Sequence, residues 1–250
     1  MNAEIFHLFH SGTVVRFQNK LFIFDYYNDN PEENGEAELS SLEKGVIRED
    51  SFAGIDKAYV FVSHSHHDHY NKVIFDWEKY SVDLNYILAE EVSLIDEFRA
   101  KSNLYQLGQD EELKLDQLKI KTFASTDAGV SFLIKMEQLN IFHSGDLNWW
   151  NWKKFSPRVQ KREEREFKRE VEKLKGEKID IAFVPVDPRL EEYYYLAGEY
   201  FIEEIKPKLF IPLHFSDNFE VTKKFKENYS RPYTEIAEIS KRGEKIDCCF

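Results

Sequence analysis

Apolar positions in the first quarter of the chain fall in short runs, without helical stripes. Ile5 to His10 and Thr13 to Phe17 roughly alternate, and Leu21-Phe22-Ile23-Phe24 is continuous. With a turn at Gln18-Asn19-Lys20 between the last two, these runs predict an opening β-meander. Tyr59-Val60-Phe61-Val62 is β-branched or aromatic throughout and reads as a buried strand. Leu84–Ala89, Leu118–Phe123, Val130–Lys135, Leu139–Phe142, Ile179–Val186 and Lys208–Phe215 read as further strands, and Lys245–Cys248 as a closing edge strand. Helical spacing marks Asn71–Tyr80, Val92–Ala100, Leu190–Glu204 and Val221–Glu227. A densely charged helix over 158–178 starts behind Ser156-Pro157, with one apolar stripe of Phe167, Val171 and Leu174. Tyr26–Glu38 is polar, carries Pro31 and Gly35, and predicts a long loop.

The polar positions become informative where the Tyr59–Val62 run ends. Ser63-His64-Ser65-His66-His67-Asp68-His69 places four of the eight histidines within six positions of a strand end. His64 and His66 are two apart, so an extended backbone puts both rings on one face while Ser65 points away. Asp68 and His69 follow a turn and can serve a second position. Imidazole with carboxylate suits zinc, iron or manganese better than calcium or magnesium, which prefer oxygen throughout.

At these residues the chain resembles the metallo-β-lactamase-fold superfamily of metal-dependent hydrolases, whose H-x-H-x-D-H motif is met by His64, His66, Asp68 and His69. Ser144-Gly145-Asp146 and Pro212-Leu213-His214 fit later segments of the same pattern. The resemblance implies an α+β fold, a four-layer αββα sandwich. It implies two divalent ions, zinc with iron or manganese as alternatives. His64 and His66 fall on the first ion, Asp68, His69 and His214 on the second, and Asp146 between them, with Asp68 and Asp146 as the catalytic carboxylates. The third histidine that many members carry for the first ion is missing from Ala124–Gly129. Asp127 is the chemically sensible substitute there; otherwise the first site is weak or empty. His10 becomes a candidate to stand behind the metal ligands, and Asp25 a residue that orients a metal-binding histidine. The expected activity is attack of a metal-bound hydroxide on a small ester, lactone or phosphodiester, as in the short sugar-lactone-hydrolase-like branch.

Bulk properties narrow the alternatives. A net charge of −12 opposes a polyanionic substrate, which weighs against a nuclease acting on RNA or DNA. A non-hydrolytic metal-binding or di-iron protein remains the other class. Trp149, just after Asp146, and Arg189, at a strand end, are candidate substrate contacts through apolar wall and anion fork respectively. The two cysteines are adjacent at 248 and 249, so no disulfide framework is expected. With a mean hydropathy of −0.56 and no signal-peptide pattern at Met1–His7, the expectation is a cytoplasmic protein off the membrane. No linker or repeat breaks the chain, so one domain over 1–250 is expected, acting on a small molecule, with room for a homo-oligomer.

Overall fold

A computed structural model of the chain describes residues 2–32, 39–80, 82–94, 96–99 and 101–249. Residues 33–38 of the expected loop, and 95 and 100 of the expected Val92–Ala100 helix, lie outside them. The strands are β1 (Asn2–Phe9), β2 (Gly12–Phe17), β3 (Lys20–Phe24), β4 (Lys57–Val62), β5 (Asp83–Ala89), β6 (Leu104–Leu107) and β7 (Glu112–Leu115). They continue with β8 (Leu118–Ala124), β9 (Val130–Lys135), β10 (Asn140–His143), β11 (Ile181–Pro185), β12 (Leu209–Leu213), β13 (Glu235–Ile236) and β14 (Glu244–Cys249). The α-helices are α1 (Asp96–Arg99), α2 (Pro157–Glu172), α3 (Leu196–Ile205) and α4 (Glu220–Tyr229). Two sheets and a few helices make an α+β fold.

The chain divides into two compact units, residues 1–107 with 239–250, and residues 108–238. Unit 1 is built on a seven-stranded sheet in the order β14-β1-β2-β3-β4-β5-β6. The meander β1-β2-β3 is antiparallel, as the alternation predicts, and β14 pairs antiparallel with β1 at the sheet edge. From β3 onward every pairing is parallel. The carboxyl ends of β3 and β4 therefore emerge side by side. Continuous apolar runs suit these strands: Leu21–Phe24, Ala58–Val62 and Leu84–Ala89 are buried along their whole length.

Unit 2 repeats the scheme. Its sheet runs β13-β12-β11-β10-β9-β8-β7, antiparallel from β7 to β10 and parallel from β10 to β13. The ends of β10, β11 and β12 again lie next to one another. The stripe on α2 buries Phe167 and Val171, but also Glu163 and Glu170, which pair with Arg162, Arg169 and Lys173.

Two helical expectations change type. Lys72–Lys79 is a 3-10 helix, and Ile74 and Trp77, three apart, share its buried side. The expected Leu190–Glu204 helix divides into a 3-10 turn (Pro188–Tyr193) and α3, because Glu191 adopts φ 54 and ψ −117. Among the described residues no helix is long and apolar enough to cross a membrane.

Candidate metal centre

In unit 1 the chemistry gathers where β3 and β4 end. Asp25, the first residue after β3, takes φ 45 and turns its carboxylate toward the neighbouring strand end. Its Oδ1 accepts the backbone N–H of Ser63 at 2.7 Å. Its Oδ2 accepts the Ser63 hydroxyl at 2.7 Å and the Nδ1–H of His69 at 2.8 Å. Since Ser63 spends its hydroxyl hydrogen on Asp25, its oxygen accepts from His64 Nδ1 at 2.9 Å. One carboxylate thus sets the tautomers of two rings, one directly and one through a hydroxyl. Both His64 and His69 are left with the lone pair on Nε2.

The segment after His64 folds back tightly. The carbonyl of His66 accepts the N–H groups of both His69 and Tyr70. His64 Nε2 and His66 Nδ1 face each other at 3.0 Å. Ser65 points away, its N–H and hydroxyl on Glu91, as the alternation predicts. His64 and His69 are buried, Asp68 is half-buried, and His66 and His67 are exposed. Ligand atoms of His64 and His66 lie within 4.8 Å of each other, and those of Asp68, His69 and His10 form a second such group. His10, which the sequence places only near the site, thus supplies an atom to it.

In unit 2, β10 runs into Ser144-Gly145-Asp146. Gly145 takes φ 52, and its N–H is received by His143 Nδ1 at 3.1 Å, so His143 braces the turn. Asp146 Oδ1 lies 3.1 Å from Nε2 of His214, which follows β12 with φ 67. The other ring nitrogen of His214 meets Asp187 Oδ2 at 3.1 Å. Arg189 grips the same Asp187 carboxylate through Nε and one terminal nitrogen. Burial would push the Asp187 carboxyl up, yet hydrogen bonds from His214 and Arg189 hold it down at about 2. Burial would likewise lower the His214 pKa, but Asp146 and Asp187 outweigh it and raise it. Two carboxylates thus flank one buried imidazole, Asp146 at Nε2 and Asp187 at Nδ1.

Asp187 is the partner that the sequence reading passes over. An aspartate ending the strand next to the one that delivers His214 was the available signal. Asp127 is exposed on the bend after β8, its N–H on Ser125, and among the described residues it joins no group of converging ligand atoms. Its neighbour Thr126 has a structural task, exchanging hydrogen bonds with the backbone of Asn148. Trp149 stacks on Phe167 with Lys168 over its face, packing that belongs to α2. The ring against His214 is that of Trp150, edge-on at 5.6 Å and backed by Trp152 in parallel. Arg189 lies over Trp152.

Imidazole nitrogens with fixed tautomers and half-buried carboxylate oxygens are the donors that zinc, iron and manganese take, so the residues fit such ions.

No family model and no curated protein matches the chain. Solved structures do. Igni18, a metallo hydrolase from the archaeon Ignicoccus hospitalis, aligns over 100% of both chains at 14% identity with a TM-score of 0.65. YhfI of Bacillus subtilis, a metallo-β-lactamase-fold protein, aligns over 99% of both at 13% identity and TM-score 0.55. CmlA, a diiron β-hydroxylase from Streptomyces venezuelae, aligns over 85% of this chain and 44% of its own at 12% identity and TM-score 0.53. The chain has the metallo-β-lactamase fold, as the His64–His69 motif implies.

Proposed function

We propose that the chain is a metal-dependent hydrolase of a small ester, lactone or phosphodiester. The observation that carries this reading is the donor set after β4: His64, His66, Asp68 and His69, with two ring tautomers fixed by Asp25. The likeness to Igni18, a metallo hydrolase, supports it at the level of fold. Bound ions there would lower the pKa of water to about 7 and polarise a carbonyl or phosphoryl oxygen.

The protein's own residues have separate tasks. Asp25 and Ser63 orient His64 and His69, and Asp187 orients His214. Asp68 and Asp146 supply the negative charge that holds cations. Asp146 and His214 remain ligands on the sequence pattern, and Asp127 is the ligand to be tested. Trp150 and Trp152 offer an apolar wall to the organic part of a substrate. Zinc is the proposed metal, with iron the competitor because a fold relative is a diiron protein. We take the enzyme to act in the cytoplasm, as a single domain, on a small molecule.

Elemental analysis of the purified chain, with turnover of a nitrophenyl ester, a lactone and a bis-aryl phosphodiester, tests the reading. Expected are one to two metal equivalents and turnover abolished by chelator and restored by metal. Fewer metal equivalents in Asp127→Ala would make that residue a ligand. No bound metal, or turnover indifferent to chelator, refutes the hydrolase assignment.

A further inference from the structure

We propose that His10 is itself a metal ligand, joining Asp68 and His69 on one ion. This rests on the metal-dependent reading above and adds a donor that the sequence motif does not contain. His10 sits on the turn between β1 and β2, far from the motif in sequence, and is only 3% exposed.

Its Nε2 lies 3.6 Å from Asp68 Oδ2. That is too long for an N–H···O hydrogen bond, which spans about 2.7–3.2 Å. It does suit two donors of one ion: at about 2.0–2.2 Å from a tetrahedral metal, two ligand atoms stand about 3.3–3.6 Å apart. The ligand atoms of His10, Asp68 and His69 all lie within 4.8 Å of one another. The ring is also fixed in place, edge-on to His69 at 5.9 Å and to Tyr27 at 6.5 Å. A donor held between two aromatic edges is preorganised for coordination.

The backbone supports the assignment. His10 holds φ 54, a region where glycine would sit without strain. The position keeps an imidazole there at a conformational cost, and strain of this kind gathers at functional sites.

The test is zinc titration of the full chain, followed by ring 15N resonances. In the wild type, zinc should shift His10 Nε2 together with His69 Nε2, the His10 ring being assigned by through-bond correlation to its own backbone amide. His10→Gln should weaken one zinc equivalent about 100-fold, while His67→Gln, altered at the exposed motif position, should bind as wild type. A folded His10→Gln with unchanged affinity overturns the proposal. If that variant fails to fold, an unshifted His10 ring in zinc-saturated wild type overturns it instead. Zinc binding in wild type with neither effect removes His10 alone; no zinc binding removes the metal reading and this inference together.

Discussion

Asp187 Oδ2 stands 3.1 Å from Nδ1 of His214, and the two residues follow neighbouring parallel strands, β11 and β12. Unit 1 uses the same device: Asp25, after β3, receives the Nδ1–H of His69, in the loop after the neighbouring β4. In both units an aspartate at one strand end fixes a histidine delivered by the next. Ring orientation is therefore tied to sheet register, which is stiffer than a loop.

Arg189 should act through Asp187. Its Nε is 3.0 Å from both carboxylate oxygens, so Arg189→Ala frees Asp187 to turn away from His214. Metal affinity should fall about 10-fold, with partial recovery in Arg189→Lys, which lacks the planar fork. A raised KM with unchanged metal affinity would instead make Arg189 a substrate contact.

Asp25→Asn keeps the side-chain shape and suits φ 45, yet removes the charge that holds Ser63 and His69. Metal affinity should drop about 10- to 100-fold. Chemical denaturation should show a loss of about 2–4 kcal/mol, the cost of unsettling a buried charged network. Wild-type metal affinity in this variant would remove Asp25 from the site.

His7 gives the fold an acid limb. Burial, and secondarily Arg242, lower its pKa from 6.5 to about 3. Between those values the unfolded chain binds the extra proton, so this contribution is complete above pH 6.5 and is lost as pH falls toward 3. By pH 5 the loss is about 2 kcal/mol. His7→Leu should flatten the fall in denaturation midpoint between pH 6.5 and 5; an unchanged slope would place the acid sensitivity elsewhere.

Arg242 and Gly243 fasten the chain's return to unit 1. The guanidinium donates to the carbonyls of Leu8, Asn28 and Gly45, and the Gly243 N–H to that of His7. Gly243 has φ 71, and a Cβ there would overlap the Glu43 backbone. Gly243→Ala should cost at least about 2 kcal/mol in thermal or denaturant unfolding. A loss below half that would mean the Glu43 turn yields easily.

Much of this was legible because burial leaves a pattern. The runs Leu21–Phe24, Tyr59–Val62 and Val130–Lys135 are strands, and the motif sits at a strand end as its position implied. β6 and β7 went unread: each is a four-residue edge strand of mostly half-buried or exposed side chains, too short to establish a period. The kink at Glu191 is a single backbone angle that no side-chain spacing encodes. In the site, clustered residues announced themselves, whereas His10 and Asp187 are solitary polar residues beside turns. They matter because strand register brings them to a histidine or an aspartate distant in sequence.

The pairing of β14 with β1 also orders events in time. As the chain leaves the ribosome, β1 to β6 are made first, but their sheet gains its edge strand and the Arg242 contacts only after all of unit 2 has been synthesised. Such long-range closure is slow, and an open strand edge invites mispairing while it waits. Unit 2 is contiguous and faces no such delay. The later-made half can thus finish folding first, leaving the histidine motif in the half that is completed last.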